Sequence, residues 1–154
     1  MLSLSASGLS EAWNYNGSRE EAYAVEAGLT YGVRDRVAVG ITTVTVYVSQ
    51  RRTDAFAIGC LGGVKWAVYQ GGGRTVSLDV EVGAARAEIP VPPRGTRFNY
   101  LWRVGASATT AVWRDVHAVA AFGWLHVSNN SLRGPDRNPD IQALGFKAGV
   151  LIPF

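Results

Sequence analysis

Gln142-Ala-Leu-Gly-Phe-Lys-Ala-Gly-Val-Leu-Ile-Pro-Phe154 is the stretch whose reading decides the fold. One face carries Leu144, Phe146, Ala148, Val150, Ile152 and Phe154, and the other carries Gly145, Lys147, Gly149 and Pro153, with Leu151 as the exception. Side chains that alternate with a period of two belong to a strand. An apolar stripe backed by small or charged residues suits a strand with lipid on one side and a lumen on the other. The edge strand of a soluble sandwich would look the same locally, so the rest of the chain has to decide.

The pattern recurs. Tyr23, Val25, Ala27, Leu29, Tyr31 and Val33 alternate with Ala24, Glu26, Gly28, Thr30 and Gly32. Val76, Leu78, Val80 and Val82 alternate with Ser77, Asp79, Glu81 and Gly83; Trp102, Val104, Ala106 and Ala108 alternate with Arg103, Gly105 and Ser107. Val64, Trp66 and Val68 alternate with Lys65, Ala67 and Tyr69. Strands are expected near 2–14, 21–33, 36–49, 54–70, 75–88, 97–112, 116–129 and 142–154. Every second connection is short, at 34–36, 71–73 and 113–115, and the others are mostly longer and more polar, including 88–97 and 129–140. Short turns at one end and long loops at the other describe a membrane barrel.

The bulk composition agrees. The 154 residues make one domain, 1–154, and are 47% hydrophobic with 18% charged. Mean hydropathy is nevertheless only +0.06, so the apolar residues are dispersed. No run approaches the roughly 18 apolar residues of a spanning helix, and a chain that enters a bilayer without one must close a barrel to pair its backbone polar groups. The expected fold is therefore all-β, an eight-stranded antiparallel transmembrane barrel with both termini at one end. The parities send Glu26, Lys65, Asp79, Glu81, Arg103 and Lys147 into the lumen, where balanced charge can pair. Phe146, Val150 and Phe154 should face outward. A soluble lipid-binding barrel fits less well, because a ligand cavity is largely apolar.

A net charge of +3 with no basic run argues against nucleic acid. Cys60 is the single cysteine, so no internal disulfide can form. No His/Cys/carboxylate group has metal-ligand spacing, and neither metal nor cofactor is expected. The opening Met1-Leu2-Ser3-Leu4-Ser5 lacks the basic and apolar regions of a signal peptide, although a barrel of this kind must be exported.

Chemistry concentrates in Gly123-Trp-Leu-His-Val-Ser-Asn-Asn-Ser-Leu132 and the following Arg133-Gly-Pro-Asp-Arg-Asn-Pro-Asp-Ile-Gln142. His126 and Ser128 stand two apart on an expected strand, on one face, with backbones roughly 6.6 Å apart. A serine with a histidine base is a workable nucleophile, and a carboxylate would orient the imidazole. Phe122 and Trp124 share their face, so a lipid ester would arrive there. A His-x-Ser pair can equally be two interfacial residues without catalytic meaning.

His126-Val-Ser128-Asn129, then Asn138-Pro139 and a last strand ending on Phe154, resembles the lipid A 3-O-deacylases (the PagL family) of bacterial outer membranes. Gly95-Thr96-Arg97-Phe98-Asn99 is similar to a segment often seen in those barrels. The resemblance covers the second half of the chain; the first half matches only in strand rhythm. It implies a carboxylic ester hydrolase at the outer leaflet, with Ser128 as nucleophile and His126 as general base. Asn129 would be an oxyanion donor, and lipid A or lipopolysaccharide the substrate, among outer-membrane lipids. Two departures stand out. Ser131 occupies the place of a family glycine whose N–H assists the oxyanion. Counting from Asn138-Pro139 puts Gln142 in the acid slot, whereas counting from His126 puts Asp140 there.

Asp140 is the expected acid, within hydrogen-bond reach of His126 or somewhat beyond it, because only a carboxylate stabilises an imidazolium. Asp136 is the fallback. Trp13, Trp102, Trp113 and Trp124 are expected in aromatic girdles. Arg51, Arg52, Arg94, Arg97, Arg133 and Arg137 fall in the long loops, where they could meet lipid phosphates or only water. His117 lies at the opposite end from Ser128. The rival reading is a non-catalytic barrel, a degenerate relative whose acid is lost.

Overall fold

The structure, a computed structural model, describes residues 1–13 and 19–154. Eight strands follow one another: β1 (Leu2–Trp13), β2 (Glu21–Arg34), β3 (Val37–Ser49), β4 (Ala55–Gly71), β5 (Arg74–Val91), β6 (Thr96–Trp113), β7 (Val116–Ser128) and β8 (Ile141–Ile152). Each pairs antiparallel with its neighbours, and β8 closes on β1 to complete the barrel. Residue 14, at the end of the first expected strand, lies outside the described residues. The last strand ends at Ile152, two residues short of the expected boundary.

The end of the barrel that carries both termini has tight turns. Gly72 and Gly73 have φ values of +58° and +72°, and Arg114 has +47°, the left-handed backbone that two-residue hairpins require. At the other end, β5 and β6 run further than expected. Val91 pairs with Thr96, and the 88–97 connection shrinks to a turn closed by Gly95 N–H donating to the Pro92 carbonyl at 2.7 Å. Asn99 is buried beneath it and donates through Nδ2 to the carbonyls of Val91 and Thr96. Packing at the closing seam needs glycine: a Cβ on Gly145 would lie 2.6 Å from Leu9 Cγ, and one on Gly149 2.5 Å from Ser5 Cβ.

The expected faces hold, with one correction. A register shift between Ala67 and Tyr69 sends Tyr69 outward, 55% exposed, rather than into the lumen. A β-bulge adds a residue and flips the parity beyond it, which alternation alone cannot reveal. The outer surface is an apolar belt in which Val25, Tyr31, Ile58 and Phe146 are 68–73% exposed. Such a contiguous surface is far beyond what a soluble monomer presents to water.

The lumen is divided along its length. All six expected charges point inward, four of them in a central network and Lys65 with Asp79 as a separate pair. Glu26 takes a two-pronged contact from Arg103 at 2.6 and 3.0 Å, with Lys147 at 3.2 Å and the Ser7 hydroxyl at 3.2 Å. Arg103 Nε lies 2.6 Å from Glu81, and Lys65 donates to Asp79 at 2.9 Å. Charge does not fill the lumen, however. Towards the long loops the interior is apolar, lined by Leu9, Val44, Leu61, Leu101, Val127 and Ile141 around a cavity of 80 Å³. That volume is well below the roughly 300 Å³ at which small-molecule pockets begin. Towards the turns a second cavity of 280 Å³ has a mixed lining that includes Thr42, Gln70, Ser107, His117, Val119 and Leu151. Two further acids, Glu11 and Glu20, are buried near the long-loop mouth, where the Glu20 N–H donates to Glu11 Oε2 at 3.2 Å.

Candidate active site

The site forms on the outside of the barrel near its long-loop end. Register places Trp13 of β1, Gln142 of β8, His126 of β7 and Trp102 of β6 side by side across four strands. One step closer to the loops, Ser128 pairs with Tyr100; one step further away, Trp124 pairs with Leu144 and Val104. All of these share the face that carries Phe122 and Phe146, whose rings pack with centroids 4.8 Å apart. His126 and Ser128 thus stand together at the upper rim of the apolar belt, and the Trp124 ring stacks on the imidazole at 5.8 Å.

Polar contacts order the imidazole. Gln142 Nε2 lies 2.8 Å from His126 Nδ1 and donates to Asp140 Oδ2 at 2.6 Å, while Gln142 Oε1 accepts from Trp124 Nε1 at 2.9 Å. Asp140 Oδ2 is 3.7 Å from His126 Nδ1, beyond hydrogen-bonding distance. The expectation of a direct Asp140 contact is therefore modified: the carboxylate faces the imidazole, but the Gln142 amide takes the hydrogen-bonding position. Both acid candidates converge on one nitrogen, because Asp140 and Gln142 share strand parity and Gln142 is in register with His126. The fallback, Asp136, is exposed in the 3-10 turn Pro135–Arg137. Among the described residues no hydrogen bond joins Ser128 to His126.

The loop after Ser128 is built by its amides. Asn138 Oδ1 accepts the Asn129 N–H at 2.8 Å, and Asn138 Nδ2 donates to Ser131 Oγ at 3.4 Å. Asn129 points inward, is 2% exposed and donates through Nδ2 to the Arg137 carbonyl. Its side chain fastens the loop here rather than facing the outer surface where Ser128 stands. Asn130 and Ser131 have φ values of +51° and +56°, and Leu132 N–H closes the turn onto the Asn129 carbonyl at 3.2 Å. Ser131 thus adopts the left-handed backbone that glycine takes without strain. Its N–H is outside the loop's described hydrogen bonds.

No family model matches the sequence, and no curated protein does. Solved structures do. The crystal structure of the outer membrane enzyme PagL superposes with a TM-score of 0.68 at 14% identity, covering 97% of this chain and 99% of that one. The likeness is one of fold. A bacterial polysaccharide outer membrane secretin matches at a TM-score of 0.40 and 9% identity, over 90% of this chain and 48% of the other. The closed eight-stranded barrel thus shares its fold with that solved structure over essentially the whole chain.

Two contacts at the candidate site escape sequence reasoning. Sequence reasoning places Trp124 in a girdle and on the His126–Ser128 face, and the structure adds that its indole N–H anchors Gln142. Asn138 enters the sequence reading only as part of a dipeptide motif, whereas its side chain fixes the turn that follows Ser128. In each case the signal was a polar group beside the motif, and only the register between β7 and β8 gives it a partner.

Proposed function

We propose that this chain is an outer-membrane serine esterase that removes an ester-linked acyl chain, the 3-O chain, from lipid A at the outer leaflet. The observation that carries the reading is the position of the His126–Ser128 pair on the outside of the barrel. There it sits at the rim of the apolar belt, with a carboxylate behind the histidine. A lipid with its chains along the Phe122–Phe146 stripe would bring its ester bonds to the level of Ser128. The fold shared with an outer membrane enzyme and the motif resemblance support the same reading. A non-catalytic barrel has no specific observation in its favour: a scaffold alone does not need a serine, a histidine and an acid gathered at one lipid-facing rim.

In the proposed reaction Ser128 Oγ attacks the ester carbonyl as His126 takes its proton. The oxygen then carries negative charge, and the Ser131 N–H, which makes none of the loop's described hydrogen bonds, would donate to it. Collapse expels the sugar hydroxyl, which recovers the proton from His126, and water releases the acyl group by the same route in reverse. Asp140 stabilises the imidazolium formed in each half-reaction. The charged arginines of the long loops would meet the phosphates of the substrate.

A lipophilic fluorophosphonate tests the nucleophile. Attack by Ser128 Oγ on phosphorus forms an O–P bond and expels fluoride, leaving a stable adduct. The expected result is a single adduct on the Ser128 peptide, formed more slowly when lipid A is added and absent from His126→Ala. An adduct elsewhere, or equal labelling of His126→Ala, would contradict the assignment.

A further inference from the structure

We propose that Gln142 is a latch that holds His126 in an unreactive tautomer until its amide withdraws and Asp140 takes its place. This rests on the reading of Ser128 as nucleophile and His126 as base. The latch follows from the amide's orientation, which two independent neighbours fix. An indole N–H can only donate, so the group 2.9 Å from Trp124 Nε1 must be the amide oxygen. A carboxylate can only accept, so the group 2.6 Å from Asp140 Oδ2 must be the amide nitrogen. Both demands give the same orientation, and it presents an N–H to His126 Nδ1 at 2.8 Å.

A nitrogen that accepts a hydrogen bond carries a lone pair, so Nδ1 is unprotonated and the neutral ring keeps its proton on Nε2. Neither nitrogen can then receive the Ser128 proton: Nδ1 has its lone pair covered by Gln142, and Nε2 is already protonated. The reactive state needs the opposite arrangement, with Nδ1–H donated to an acceptor and Nε2 free. Asp140 is placed to supply that acceptor. It is 3.7 Å from Nδ1, and a closure of roughly an ångström gives hydrogen-bond length once the amide leaves. The switch moves one proton from Nε2 to Nδ1 through solvent and changes no net charge.

Substrate contact supplies the trigger. Trp124, one of the two anchors of the amide, lies in the stripe along which an acyl chain would lie, and its ring stacks on His126. A chain that displaces the indole removes the anchor of Gln142 Oε1 and frees the amide to turn. Hydrolysis is thereby confined to moments when lipid occupies the face.

Nitrogen-15 NMR of the two histidine rings in the full-length protein in detergent micelles reads the tautomer directly, with His117→Asn assigning the signals. In the parent, His126 should carry its proton on Nε2; in Gln142→Ala and Gln142→Glu it should move to Nδ1. Turnover of lipid A in mixed micelles should rise roughly tenfold in both variants, the size expected when one opposing hydrogen bond is lost. A parent His126 protonated on Nδ1, or a fall in turnover in both variants, overturns the latch. If the tautomer moves as expected while Ser128→Ala hydrolyses lipid A as fast as the parent, the esterase reading fails and the tautomer assignment stands.

Discussion

Ser128→Ala should eliminate ester hydrolysis if the proposed function holds, and His126→Ala should do the same, each lowering turnover by on the order of 10⁴–10⁶-fold. The double variant should be no worse than either single one, because a nucleophile and its base act as a unit. Neither change should unfold the barrel. Ser128 ends β7 with its side chain in no described hydrogen bond, and the His126 ring lies on the outside against Trp124 and Gln142. Steady-state assays with lipid A in mixed micelles read the loss, and circular dichroism checks the fold. Residual turnover within tenfold of the parent in Ser128→Ala would refute the nucleophile.

The second large effect is on stability. Glu26 is 2% exposed and receives Arg103, Lys147 and the Ser7 hydroxyl together. Glu26→Ala leaves Lys147 without its described carboxylate partner and Arg103 with Glu81 alone. Breaking a buried ion pair on one side costs about 3–5 kcal/mol, because the remaining charge is stranded in low dielectric. Lys65→Ala should cost much less, since the Lys65 side chain is 32% exposed and water screens its pair with Asp79. Urea unfolding of the two variants in lipid vesicles gives the comparison. Equal midpoints would show that the central network is not what holds the lumen together.

The barrel was legible because closure in lipid leaves little freedom. Each strand must put its apolar residues on one face, and the charged residues left over, Glu26, Lys65, Asp79, Glu81, Arg103 and Lys147, had to meet in the lumen. What escaped depended on register. The bulge before Tyr69 flips parity without a mark in the alternation, and the extension of β5 to Val91 rests on Asn99 beneath the turn. An apolar half-lumen was invisible as well, because it draws on the inward residues of all eight strands at one height. At the site, parity put His126 and Ser128 on one face, and likewise Asp140 and Gln142. It could not say which of the latter two touches the ring. That choice depends on how far the loop from Asn129 to Asp140 lets β8 slide along β7, and the pairing of His126 with Gln142 decides it.

The esterase reading is tested most directly by weighing its product. Purified protein incubated with hexa-acylated lipid A in mixed micelles should give lipid A lighter by one hydroxyacyl chain, together with the free fatty acid. Neither should form with Ser128→Ala. Lipid A of unchanged mass after incubation with both the parent and Gln142→Ala, each folded and inserted, would contradict the account.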